Sequence, residues 1–383
     1  MRTRGMWWLL PWALLAGGSQ AAQITEFSAG ITPGAGPHAI VAGPDGNLWF
    51  TEREGNRIGR IAPSGVVTEF SAGISPGSAP QGITAGPDGN LWFTESAGHR
   101  IGRITPAGAV TEFSAGITPG SQPAHIASGT DGNLWFTESL AGKVGRITTA
   151  GAVTEFAVPA ATAGSLYGIT TGPDGNLWIT AGADHLIVRM TPAGATTGFD
   201  TGIATPRHIR AGPDGNLWFT SGGHPPIGRI TTAGVITMFG AGLAAGASAA
   251  GIAVGPDGNL WFGESGPDRI GRITIAGIAA EFGSGIAAGA QPTGIALGPD
   301  GNLWFTEAAG DRVGRLVTGS CGLDVDGNNA IDALTDGLMI LRAMFGLTGA
   351  AVTDNALGDG ATRIDWASLR AYMNGNCASA FMP

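Results

Sequence analysis

The stretch GPDGNLWFTE, Gly43 to Glu52, recurs unchanged from Gly86 to Glu95, and close variants return along the chain. Its Asp falls at Asp45, Asp88, Asp131, Asp174, Asp214, Asp257 and Asp300, at intervals of 43, 43, 43, 40, 43 and 43 residues. Seven of the eleven Trp residues belong to it: Trp49, Trp92, Trp135, Trp178, Trp218, Trp261 and Trp304. A period of this length marks a repeat architecture, whose units bury their apolar faces only against neighbours. Each copy holds four apolar runs; in the second they are GITAG, LWFTE, RIGRI and AVTEF, broken by PDGN, SAGH and TPAG. Short runs rich in Ile, Val, Trp, Phe and Thr between such breaks read as strands. The Asp-Gly pair is expected to supply the positive φ angles of a tight hairpin. Four antiparallel strands in roughly 40–45 residues make a propeller blade. The expected fold is therefore an all-β, seven-bladed propeller over residues 23–318.

The order of the runs predicts how the ring closes. A TEF-type outer run, Ile24–Phe27, precedes the first DGNLW, whereas the last copy ends at Arg312–Val317 without one. The N-terminal run should complete blade seven and so remove the open sheet edges. Repetition of PDGN is read as turn chemistry, and repetition of Trp as packing between blades, because a buried indole removes a large apolar area from water.

Composition narrows the functional classes. With 67 Gly, 23 Pro and a formal net charge of −9, the chain suits tight-turned β structure and argues against nucleic acid or an anionic membrane as partner. Residues 1–22 read as a signal peptide: Arg2 and Arg4, then the apolar Met6–Ala16, then small residues for cleavage near Ala21 or Ala22. The apolar stretch is too short for a comfortable membrane span. A monomer exported to the periplasm or the medium is expected.

The Glu closing LWFTE recurs as Glu52, Glu95, Glu138, Glu264 and Glu307, with Ala181 and Ser221 in copies four and five. Either each Glu pairs with an Arg of its own blade, as Glu52 with Arg57 or Arg60, or several form a carboxylate ring for a hard divalent ion. The residues opening each first strand differ: His38, Gln81, Ala124, Tyr167, Arg207, Ala250 and Thr293. A constant scaffold with a variable rim separates support from function. His125 and His208 lie one position later, where strand alternation points them to the opposite face.

From about Ile24 to Val317, repeats of the form PxGI, GPDGNLWFTE, RIGRIT and GxVTEF resemble the virginiamycin B lyase (streptogramin lyase) family of seven-bladed propellers. The resemblance implies elimination rather than hydrolysis of a cyclic ester, with a His base and a carboxylate-held magnesium ion. The family's working motif is of the type E-P-H-G-I followed by W-F-x-x-E, with fourteen residues from His to Glu. GPHAI sets His38 fourteen residues before Glu52, which matches the base and one ligand, with Glu95 and Glu307 as further ligand candidates. The chain departs at Gly36, which replaces the motif's first carboxylate, and at Thr293 and Gln81, where a second His is expected.

After Val317 the composition changes, and residues 319–383 resemble a dockerin-type calcium module. Asp324, Asp326, Asn328, Ala330 and Asp332 take calcium-loop positions one, three, five, seven and nine, and Asp336 falls one residue past position twelve. An acidic turn capping a helix is the plainer alternative. A helical calcium module of this type admits a cohesin-like protein partner. The only cysteines, Cys321 and Cys377, bracket this piece and should pair in an exported protein. Two functions stay open: a metal-assisted carbon–oxygen lyase, or a non-catalytic propeller that binds a small molecule or surface at its rim. No GxSxG nucleophile motif supports a hydrolase.

Overall fold

Every PDGNLW stretch folds alike, for a reason visible in the first copy. Gly43 N–H donates to Asn47 O (2.7 Å), and Gly46 takes φ 75°, leaving Asp45 free of the left-handed region. Asp45 instead accepts from the Trp49 indole N–H at 3.0 Å and from Asn47 Nδ2 at 2.8 Å. The glycine alone thus makes the turn. The Asp, expected to share the positive φ, anchors the tryptophan. Burial raises the Asp45 carboxyl's pKa, but the Trp49 and Asn47 bonds outweigh that and hold it below its ordinary value.

The computed structural model describes residues 23–317, apart from 203, 204, 245 and 247. Among these, strands form seven four-stranded antiparallel sheets. Blade 1 runs outward from the channel as Pro37–Ala42, Leu48–Glu52, Arg57–Ile61 and Val67–Phe70. Blades 2 to 6 repeat that order with innermost strands Pro80–Ala85, Pro123–Ser128, Leu166–Thr171, Pro206–Ala211 and Ala249–Val254. Blade 7 comprises Pro292–Leu297, Leu303–Glu307, Arg312–Val317 and the N-terminal Gln23–Phe27. Gln23 pairs with Val317 and Phe27 with Val313, so the ring closes as the repeat order predicts.

The core lies between blades. Trp49 is fully buried among Ile58 of its own blade and Ile83, Leu91 and Phe93 of the next. Phe70 stacks on Trp49 (centroids 5.3 Å), and the Arg60 guanidinium lies 5.5 Å from the Trp49 centroid before donating to Pro106 O of blade 2 at 3.2 Å. Each such cation–aromatic contact contributes about 0.5–1 kcal/mol. At the closure the same column is built across chain ends: Phe27 stacks on Trp304, and Arg315 donates to Pro63 O at 3.2 Å. Gly59 is required by close approach, since a Cβ there would lie 2.1 Å from the Phe50 ring.

No helix among the described residues is long and apolar enough to cross a membrane. The signal segment, the calcium loop and its helices, and Cys321 with Cys377 lie outside the described residues.

Candidate functional site

Each innermost strand carries an irregularity at the channel mouth. Pro37 pairs with Glu52 but Ile40 pairs with Phe50, so three steps on one strand match two on the other. The same shift occurs in all seven blades. A bulge of this kind suspends strict alternation over its extra residue. The backbone N–H freed there is satisfied by the Thr of LWFTE: Ala39 N donates to Thr51 Oγ1 and His125 N to Thr137 Oγ1. The Thr hydroxyl in turn donates to the next blade, Thr51 to Gln81 O at 2.8 Å and Thr306 to His38 O at 2.5 Å across the closure. A scaffold hydroxyl repeated in six blades, with Gly263 in its place in blade 6, therefore fixes the backbone beneath the variable rim.

The bulge corrects the expectation for His125 and His208. Both line, with His38, one cavity of about 680 Å³ at the channel mouth. Ring centroids of His125 and His208 are 4.8 Å apart, and Tyr167 lies 4.4 Å from His125 and 5.2 Å from His208. Burial, then the charge of Arg53, lowers the His38 pKa to about 4. Burial, with His38 and Arg207 beside it, lowers His208 to about 3, and burial beside His208 and His38 takes His125 well below its ordinary value. All three imidazoles are neutral near pH 7. Nδ1 of His38 and of His208, and Nε2 of His125, are buried without a hydrogen-bond partner among the described residues. Burial pushes the Tyr167 phenol upward.

The repeated Glu side chains go elsewhere. Glu52, Glu95, Glu138, Glu264 and Glu307 are fully buried, and none lines the cavity. Each instead meets the Glu of its blade's outer strand, seventeen residues later in the chain or, for Glu307, at Glu26. Burial and that neighbouring carboxylate raise Glu52, Glu138 and Glu307 to about 8. Burial first, with the outer Glu also contributing, raises Glu95 and Glu264 to about 7. Ser78 stands beside Glu95 and Ser121 beside Glu138, and otherwise no hydrogen-bond donor among the described residues reaches these oxygens, which favours the inner Glu as a neutral acid facing the outer carboxylate. The outer Glu has partners of its own: Glu69 accepts Thr32 N at 2.5 Å and Oγ1 at 2.7 Å and pairs with Arg57 at 3.7 Å. Arg57 and Arg60, the expected partners of Glu52, thus serve Glu69 and the Trp49 column; among the described residues only Glu307 of the inner acids has a blade Arg within ion-pair distance, Arg312 at 3.9 Å.

A model of the virginiamycin B lyase family matches residues 15–166 and again 162–323, most of the chain. The chain belongs to the virginiamycin B lyase family. A streptogramin B lyase structure is 32% identical with a TM-score of 0.72, covering 78% of this chain and 98% of that one. Virginiamycin B lyase from Staphylococcus aureus is 35% identical with a TM-score of 0.71, covering 77% and 99%. A catalytically inactive form of that enzyme, solved with quinupristin, gives the same values. No curated protein matches the chain.

Set against the family's motif, His38 reaches the cavity while Glu52, Glu95 and Glu307 do not. Among the described residues no group of three or more His, Cys, Asp or Glu is arranged to hold a metal ion. At Gly36, where the family motif has a carboxylate, the space is filled: Glu54 Oε2 lies 1.9 Å from where a Cβ would stand. Sequence reasoning missed His125, His208 and Tyr167 as one cluster with His38, because a bulge leaves no local signature. It also missed Arg210, which lines the same cavity and was visible as the odd residue in its column of repeats.

Proposed function

We propose that the chain is a carbon–oxygen lyase acting on a small cyclic ester bound at the channel mouth, outside the cytoplasm. The observation that carries this reading is the cluster of three neutral imidazoles in one cavity, with Arg207 in the same lining. His38 would take a proton from the carbon next to a carbonyl. The electron pair left behind forms a carbon–carbon double bond as the ester carbon–oxygen bond breaks, and the ring opens to a carboxylate. Arg207, together with Arg53 whose charge is felt by His38, supports the negative charge that develops. The cavity lining contains no carboxylate, so the donor set does not fit the magnesium ion implied by the family resemblance. Base and positive charge come from the chain itself in this reading.

The test is purified protein with quinupristin, followed by chromatography and mass spectrometry. Elimination leaves the mass of the substrate unchanged on ring opening and takes no oxygen from solvent, whereas hydrolysis adds a water. His38→Ala should lower the rate by roughly 10²–10⁴-fold. Because the His38 pKa lies at about 4, kcat/KM should stay flat from pH 8 down to about 5 and fall only below that. Absence of ring opening by the intact protein would leave a ligand-binding propeller, which the lack of a cavity carboxylate also favours.

A further inference from the structure

One position in the repeat breaks its own pattern inside the cavity. At the fifth residue of the innermost strands, six blades place Val41, Thr84, Ala127 or an equally small neutral residue, and blade 5 places Arg210. The scaffold evidently needs no guanidinium there. Arg210 lines the same cavity as the imidazoles and lies three residues beyond Arg207, roughly 10 Å further along the strand. Its side chain is solvent-exposed within that cavity, and the protein packed around it lowers its pKa. Among the described residues no ion pair or hydrogen bond engages it. The lining around it holds no Asp or Glu, although the chain as a whole carries −9. A guanidinium with no counter-charge beside it is free to take one, and its planar fork is built for two-point contact with a planar anion.

We propose that Arg210 receives a carboxylate carried by the ligand, seated in the channel beyond the imidazoles. This rests on reading the cavity as a small-molecule site and adds a substrate class to it: cyclic esters that bear a free carboxylate distinct from the one released on ring opening. Such a site favours the acid over the uncharged analogue, which offers the guanidinium no charge to pair with.

The experiment compares 3-phenylpropionate with its methyl ester by titration calorimetry on the purified protein, with inorganic phosphate as competitor. The acid should bind roughly 10- to 100-fold tighter than the ester. Arg210→Met should remove that preference while leaving ester affinity unchanged, and Arg210→Lys should keep only part of it. Equal binding of acid and ester by the unaltered protein would overturn the proposal. So would a preference that survives in Arg210→Met, or phosphate competing as well as the acid. Should Arg210→Met fail to fold, a full preference retained by Arg210→Lys would count equally against the two-point contact. Turnover plays no part in this readout, so missing elimination and missing discrimination are separate results.

Discussion

Among the described residues, blades 1, 2, 3, 6 and 7 each set a buried carboxyl against a half-buried one on the outer strand; blades 4 and 5 have neither at these positions. In blade 4 the inner position is Ala181, and the outer one, in the register that Glu69 holds against Gly59, is Gly198 opposite Val188. In blade 5 the two positions are Ser221 and Met238, the latter opposite Gly228. Within one chain, then, the inner acid and its outer partner are kept or lost together. That is what a paired acid requires, since the inner carboxyl without its outer partner would be buried alone. The work done by the outer carboxylate is also replaced: in blade 4, Asp184 from the following turn accepts Thr162 N at 2.7 Å and Thr162 Oγ1 at 2.8 Å. The two blades that dispense with the pair are those that send Tyr167, Arg207, His208 and Arg210 into the cavity. His38 and His125 reach the same cavity from blades 1 and 3, which keep the pair, so one blade can carry both the scaffold acids and a site residue.

The contrast can be broken most forcefully by importing half of the pair. Ala181→Glu should destabilise the protein by about 3 kcal/mol in denaturant unfolding at pH 7. Adding Gly198→Glu should recover at least half of that loss. A single substitution as harmful as the double, or more benign, would show that the two carboxyls are not a unit. A smaller effect is expected from pH. The inner Glu pKa is raised to about 7–8 in the folded protein, so the folded state holds protons that the unfolded chain releases above its ordinary value near 4.5. Stability from these groups is present at low pH and declines as pH rises through about 8. Glu52→Gln keeps a neutral donor and should match the unaltered protein at pH 5, then exceed it by roughly 1–2 kcal/mol at pH 9. Smallest is Ser221→Ala, which removes an acceptor for Thr205 N and Gly223 N, both at 3.2 Å, and should cost about 0.5–1 kcal/mol.

The propeller was legible because its signal is redundant: the Asp45–Trp49 anchor, the turn glycine and the strand runs all repeat. Chain order alone predicted that Ile24–Phe27 would pair with Arg312–Val317. The site was less legible. Alternation misplaced His125 and His208, since the extra residue between Pro123 and Ile126, or Pro206 and Ile209, is visible only in the pairing register. Glu52 and Glu69 lie on strands that are not neighbours in sequence logic, so Glu52 was matched to the arginines near it. Yet the joint loss of both acids at Ala181 with Gly198, and at Ser221 with Met238, was already written in the repeats. Arg210 was likewise exposed by comparison of the seven copies with one another.

The bulge at each inner strand has a consequence for how such a ring diversifies. A regular strand would offer the mouth one adjustable letter per blade, with its neighbour committed to the wall. Here consecutive residues, such as Arg207 with His208 or Tyr167 with Gly168, both border the cavity. Their backbone is held by the Thr hydroxyls of strands that need not change. Recognition is therefore spelled in two-letter words around a frame that is copied, and a new ligand can be met by rewriting a word without touching the frame.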